Sequence, residues 1–284
     1  MIILKRRVDK FTMHLCPSDG GISRVLMNRG KREAGFMHLI RENINDGDVC
    51  FDLGANIGYA TLFMADKCGS NGKVYAIEPD PHNLNLLKLS VEENNFNNIV
   101  DIEQCMVSNI DKDQDFWIAR APNLNSVHKT KHSIRKIVVK SHRLDSFLEN
   151  KECPNFIKMD VEGHEVQILE GALNYFSKQS KNIKILMEVH PQYYSEENSL
   201  EKVLEKYFES GFTCKHIIST PNPQPKLFKD SGYEPIMSFK TDGFHRGLYE
   251  NIKNEDAIKF TCRLNREGSS KKIARSIMIE KKSK

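Results

Sequence analysis

The stretch Val49 to Met64, VCFDLGANIGYATLFM, constrains this chain more than any other. Val49 to Leu53 is an apolar run broken only by Asp52, which predicts a buried strand. Gly54, Ala55, Asn56 and Gly58 follow. A helix-compatible segment then offers Leu62, Phe63 and Ala65 for packing. Strand, glycine turn and helix together let backbone approach a nucleotide-type ligand, and the helix N-terminus supplies unpaired N–H groups.

The 284 residues suffice for one large domain, or one domain with additions. Hydrophobic and charged fractions of 39% and 28% exclude global disorder. No apolar run reaches the roughly 20 residues that span a bilayer. The opening MIILKRRVDKF has the wrong order and length for a secretory signal, so a cytoplasmic location is expected. Seven scattered cysteines without a C-x-x-C pair predict free thiols in a reducing compartment and speak against zinc.

Polar, glycine-punctuated residues 1–32 read as an irregular N-terminal extension. A helix is expected from Arg32 to Asn45, with Phe36, Leu39, Ile40 and Ile44 at helical spacing. Further strands are expected at Val74 to Ile77, Ile99 to Val107, Ile157 to Met159 and Ile183 to Val189, with a sixth in FTCKHIIS. Helices are expected between them, from His82 to Asn94 and around Val166, Leu169, Leu173 and Phe176. FWIA and KIVVK read as short, paired strands. The alternation predicts an α/β fold with a mostly parallel, doubly wound sheet and helices on both faces. The main domain is expected at 33–219, a proline-interrupted cap or contact region at 220–270, and a basic tail at 271–284. That tail carries +5 of a net +4, leaving −1 for the rest. It reads either as an anion-binding arm or as a solvated, frayed end.

Ligands of open α/β sheets bind at the C-terminal strand ends. Polar residues stand there in series: Asp52 to Gly58, then Glu78 and Asp80, then Asp160, Glu162 and His164, then Glu188 and His190. After Gly54 the next glycine is Gly58, so the pyrophosphate-cradling G-x-G-x-x-G is absent and a dinucleotide is disfavoured. A nucleoside without phosphates, such as S-adenosylmethionine, fits better. Glu78 follows Gly54 by 24 residues, near the spacing at which an acid meets ribose hydroxyls.

These segments resemble the FkbM-type S-adenosylmethionine-dependent methyltransferases. The matching residues are FDLGANIGYATL, VYAIEPDPHNLNLLKLSVEENN, QCMVSN, FIKMDVEGHEVQILEGA and ILMEVHP, within roughly 33–217. The resemblance implies a Rossmann-like class I fold and transfer of a methyl group, usually to a hydroxyl of a sugar, glycan or small natural product. It places Asp52, Gly54, Asn56 and Gly58 on the methionine side of the cofactor and Glu78 on its ribose. Gln104, Cys105 and Met106 fall near adenine. The turn after strand four, Asp160-Val161-Glu162-Gly163, lacks the paired prolines of enzymes that methylate base amino groups.

A hydroxyl acceptor needs a base. Asp160, His164 and His190 are the candidates, with Glu162 nearby, and His164 has a rival reading as a helix cap. Asp160, Glu162, Glu188 and His190 also form a donor set for magnesium or a similar ion, although a metal-free carboxylate cluster that positions the acceptor accounts for them equally well. Two other classes stay open: an RNA or protein methyltransferase, and a non-catalytic cofactor-binding partner held to an anionic surface by the tail.

Overall fold

The computed structural model describes residues 2–221, 224–241, 243–263 and 273–283. Strands β1 (Leu4–Val8) and β2 (Phe11–Leu15) form an antiparallel hairpin, followed by α1 (Ile22–Arg29). The N-terminal extension is therefore ordered. Phe11, Met13 and Leu15 alternate into the core, a period-2 signal hidden among polar neighbours.

Helix α2 (Ala34–Asn43) leads into β3 (Val49–Leu53), α3 (Tyr59–Cys68), β4 (Lys73–Ile77) and α4 (Pro81–Glu93). Asp80 caps α4 by accepting from the His82 N–H at 3.0 Å, with Pro81 at the first helical position. The expected third strand divides. Its first part is β5 (Val100–Glu103). Its second, β6 (Met106–Ser108), leaves the main sheet to pair with β9 (Ser141–Arg143), and β7 (Gln114–Ala119) and β8 (Ser133–Val139) form a hairpin between them.

Then come α5 (Leu144–Glu149), β10 (Phe156–Met159), α6 (Glu165–Lys178), β11 (Ile183–Glu188), α7 (Leu200–Glu209) and β12 (Phe212–Ser219). The last elements are α8 (Gln224–Asp230), β13 (Met237–Thr241), β14 (Phe244–Glu250), α9 (Asn254–Ile258) and β15 (Ala274–Lys281).

The main sheet runs β13-β14-β12-β15-β11-β10-β3-β4-β5. Pairings from β5 to β11 are parallel, and those from β11 to β13 are antiparallel. The sheet is thus mixed rather than mostly parallel. Helices cover both faces, as expected. Val49, Phe51 and Leu53 join the core under α6 and α7, while Cys50 joins the core under α3 and α4. Such alternation along one strand is what a doubly covered sheet requires.

The expected basic tail is β15, an interior strand paired on both edges. Ile277 and Ile279 face one core and Met278 the other. Its charges are accommodated locally: the buried Lys281 ammonium donates to the Phe176 and Ser177 carbonyls at 2.9 and 2.8 Å. Lys271, Lys272 and Lys284 lie outside the described residues. The expected cap is likewise corrected, because β14 and β13 extend the sheet edge and none of the described residues from 220 to 263 lines the cleft described below. All seven cysteines are unpaired, and among the described residues no helix is long and apolar enough to cross a membrane.

Candidate active site

A cleft with about 1000 Å³ of atom-free space, part of it open to solvent, lies at the C-terminal ends of β3, β4 and β10. Gly54, Asn56, Glu78, Cys105 and Met106 line one part of it. Asp160, Glu162 and His164 line another.

Gly54 adopts φ +76°, and a Cβ there would stand 2.1 Å from the Asp160 carbonyl oxygen. Only glycine lets the exits of β3 and β10 come this close. The N–H groups of Gly54 and Ala55 both donate to the Ile77 carbonyl at 3.0 Å, which locks the turn onto β4. Asn56, also at positive φ, donates its N–H to Glu78 Oε2 at 2.8 Å. Glu78 Oε1 accepts from the Asp80 N–H at 2.9 Å. Burial pushes the Glu78 carboxyl up to about 7. Oε1 also accepts from the Asn83 amide at 3.5 Å, so Oε2 is the oxygen with a lone pair left for a ligand hydroxyl.

Three expected cofactor residues stand elsewhere. Asp52 is fully buried behind the cleft. The register of β3 and β10 sets it beside Lys158, whose ammonium lies 2.9 Å from Asp52 Oδ1, and the Thr61 hydroxyl donates to Oδ2 at 2.6 Å. The side chain faces α3 because strand side chains alternate, and the turn begins only after it. Gly58, at φ +89°, is held against Leu87 and serves the turn rather than the cleft wall. Gln104 is exposed, at the point where the chain leaves β5 for β6.

The second part of the cleft is densely charged. Burial and then the charge of Glu188 raise the Asp160 pKa, and burial with Asp160 raises Glu162 to about 8. His164 sits at the N-terminus of α6 but makes no capping bond. Its Nε2 pairs with the Ser108 hydroxyl at 2.9 Å, and burial pulls its pKa down to about 4. The cap reading of His164 is corrected accordingly.

His190 lies behind Glu162 and does not line the cleft. Its Nδ1 pairs with Glu165 Oε1 at 2.7 Å, and its Nε2 lies 3.4 Å from Glu162 Oε2. Burial lowers the His190 pKa, but Glu165, Glu188 and Glu162 outweigh it and raise it to about 9. Both ring nitrogens face carboxylates and the ring stands back from the cleft, away from the acceptor space that its reading as the base requires.

Sequence reasoning missed Arg32, Glu33, Lys158 and Arg275. Arg32 and Glu33 enter the cleft wall from the connection between α1 and α2, with Arg32 Nη2 donating to Glu33 Oε1 at 2.7 Å. Arg275 of β15 donates to the same Glu33 oxygen at 2.9 Å and reaches Glu188 Oε2 at 3.0 Å. Arg32 and Glu33 are neighbours in sequence, but their place in the cleft wall, like the positions of Lys158 and Arg275, depends on partners far along the chain, Arg275 for Glu33 and Asp52 for Lys158. Asn125, singled out only as part of a polar loop, donates to Asp80 Oδ2 at 2.7 Å and ties that loop over the cleft.

A glycine turn, a buried acid after the second parallel strand and carboxylates after the fourth define an α/β fold built to hold S-adenosylmethionine. The FkbM methyltransferase domain model matches residues 52–214, and the chain belongs to that methyltransferase family. It is 28% identical over 172 residues to the hexuronic acid methyltransferase AglP of Haloferax volcanii, a match covering 60% of this chain and 66% of that protein. An uncharacterised Methanocaldococcus jannaschii protein is 38% identical over 78 residues, covering 28% of this chain and 29% of that one. The crystal structure of methyltransferase FkbM from Methylobacillus flagellatus aligns with 75% of this chain and 50% of its own at 16% identity, with a TM-score of 0.39.

Proposed function

We propose that this chain transfers the methyl group of S-adenosylmethionine to a hydroxyl oxygen of a sugar or a similar small polyhydroxylated acceptor. One observation carries the reading: Asp160 and Glu162 stand in the same cleft wall as Gly54, Glu78 and Cys105. The carboxylates that can take a proton are therefore next to the groups suited to hold the cofactor. The likeness to AglP, a hexuronic acid methyltransferase, supports a sugar acceptor. The seven unpaired cysteines support a reducing, cytoplasmic setting.

In this reading Gly54 and Asn56 flank the methionine end, and Glu78 accepts from the ribose hydroxyls. Cys105 and Met106 pack beside adenine. The acceptor hydroxyl gives its proton to Asp160 or Glu162 as its oxygen attacks the methyl carbon. The carbon–sulfur bond breaks with its electron pair passing to sulfur. The products are a methyl ether and S-adenosylhomocysteine. His190 balances the charge behind these carboxylates, and His164 packs against Ser108.

The test supplies labelled S-adenosylmethionine with neutral sugars, hexuronates, RNA and a protein extract. Alkali-stable label on a sugar oxygen, located by mass spectrometry and NMR, is the expected result. Label on RNA or protein alone overturns the acceptor class. Cofactor binding without transfer to any of them would favour a non-catalytic binding role.

A further inference from the structure

We propose that Asp160, Glu162 and His190 bind a divalent cation of the magnesium or manganese class at the inner edge of the cleft, where it holds two neighbouring oxygens of the acceptor. The second clause rests on the function proposed above, and the first does not.

One donor atom from each of the three residues lies within 4.8 Å of the others. Donors around one such ion stand about 3–4.5 Å apart, so small side-chain rotations close the site. The donors arrive from two adjacent strand exits, β10 for Asp160 and Glu162 and β11 for His190. The first of these exits is held rigidly. Glu162 is at φ 49° and Gly163 at φ 102°, and the Ser126 hydroxyl donates to the Glu162 carbonyl at 2.8 Å.

The histidine is oriented as a metal ligand is. Nδ1 bonds to the buried Glu165, which also accepts from the Gly163 N–H and the Tyr194 hydroxyl, each at 3.0 Å. That leaves Nε2 directed at Glu162 and, at 3.9 Å, at Glu188 Oε1. A carboxylate on the far nitrogen fixes the tautomer and raises ligand basicity.

An independent feature points to the same spot. Asp160 Oδ1 is buried and has no hydrogen-bond partner among the described residues. A buried, unsatisfied carboxylate oxygen is costly, and a cation removes the cost. The neighbouring protein cations are already engaged: Lys158 with Asp52 and the Gly54 carbonyl, Arg275 with Glu188 and Glu33, and Arg32 with Glu33. Two hard carboxylates suit manganese or magnesium, the imidazole favours the transition metal of the two, and binding at a cleft edge leaves coordination positions for an acceptor. A hydroxyl bound there becomes more acidic, and its proton passes to the carboxylate oxygen not bonded to the ion. The charge also offsets the acidic wall, so that an acceptor bearing its own carboxylate can approach.

The test uses the full chain, stripped with a chelator and saturated with S-adenosylhomocysteine. Manganese(II) is titrated in and followed by electron paramagnetic resonance. We expect one ion per chain, with affinity reduced at least about tenfold in Glu162→Gln and again in Asp160→Asn. Thermal melts and S-adenosylhomocysteine affinity report whether each variant is folded. No binding to the wild-type chain up to about 1 mM, or equal binding by wild type and both folded variants, overturns the site. If both variants fail to fold, coupling of the bound manganese to an imidazole nitrogen in the wild-type chain, seen by electron paramagnetic resonance, decides the same point: its presence supports the His190 site and its absence overturns it. Methyl transfer to a sugar by the metal-free chain overturns the cation's hold on the acceptor and leaves the proposed function. Stoichiometric manganese without transfer to any hydroxyl does the reverse.

Discussion

The two halves of the main sheet differ in how their residues reach the site. The parallel half, β5 to β11, delivers its chemistry at strand exits: Gly54, Glu78 and Asp160 each follow directly from a strand, and Glu162 stands two residues beyond Asp160. The antiparallel half, β15 to β13, contributes through cross-strand contact. Arg275 sits inside β15 and meets Glu188 and Glu33 sideways. The contrast teaches that a parallel α/β unit writes its site into a local motif, whereas an antiparallel brace writes its share into register.

The largest effect is expected from removing residues 273 to 284. If they were a solvated tail, nothing would change. As β15 they separate β11 from β12 and bury Ile277, Met278 and Ile279. Each such side chain is worth about 1.5–3 kcal/mol, so their loss alone approaches a typical total stability. The expected outcome is an insoluble or unfolded chain by circular dichroism.

Arg275→Met tests the sideways contact more finely. It keeps the strand and removes the guanidinium shared by Glu33 and Glu188, which are 12% and 9% exposed. With Arg275 itself partly exposed, the cost is about 2 kcal/mol, seen as a melting temperature lower by several degrees. S-adenosylhomocysteine affinity should fall less than stability does.

Glu78→Gln tests the local side. The folded pKa of Glu78 is raised to about 7, so the charged acceptor form is lost as pH falls through that value. Wild-type affinity for S-adenosylhomocysteine should rise from pH 6 to pH 8, about tenfold in all, and the variant should show a flat, weaker profile by calorimetry. The stability sign is opposite. A carboxyl raised from 4.5 costs stability progressively as pH climbs from the unfolded to the folded pKa, and the full cost is present only above about 7. A wild-type binding profile that is level across pH 7 removes Glu78 from the ribose.

Gln104→Ala is the smallest expected effect. The residue is exposed where the chain leaves β5, so cofactor affinity and melting temperature should stay within about 0.5 kcal/mol of wild type. A large loss would restore Gln104 to the adenine side.

Much of the parallel half was legible because its signals are short-range. The boundaries of β3, β4, β10 and β11 lie within a residue or two of the apolar runs, and α4 begins one residue before the expected start at His82. Asp52 misled because its place in a motif says nothing about which face of the strand it takes. His190 misled because the direction its ring takes is set by Glu165, 25 residues away and on another element. The β1–β2 hairpin was missed because its alternating Phe11, Met13 and Leu15 sit among polar residues.

By itself the chain's order determined a strand, a glycine turn that tolerates backbone contact, an acid after the second parallel strand and a carboxylate pair after the fourth. These follow from local sterics and apolar periodicity, which act within a few residues. Only the tertiary structure decided that a lysine- and arginine-rich end becomes an interior strand. Register across β11 and β12 buries its apolar faces and gives its charges partners, and no local pattern carries that pairing. The same long-range packing decided that Asp52 supports the turn from behind and that Arg275 helps hold the acidic wall of the cleft.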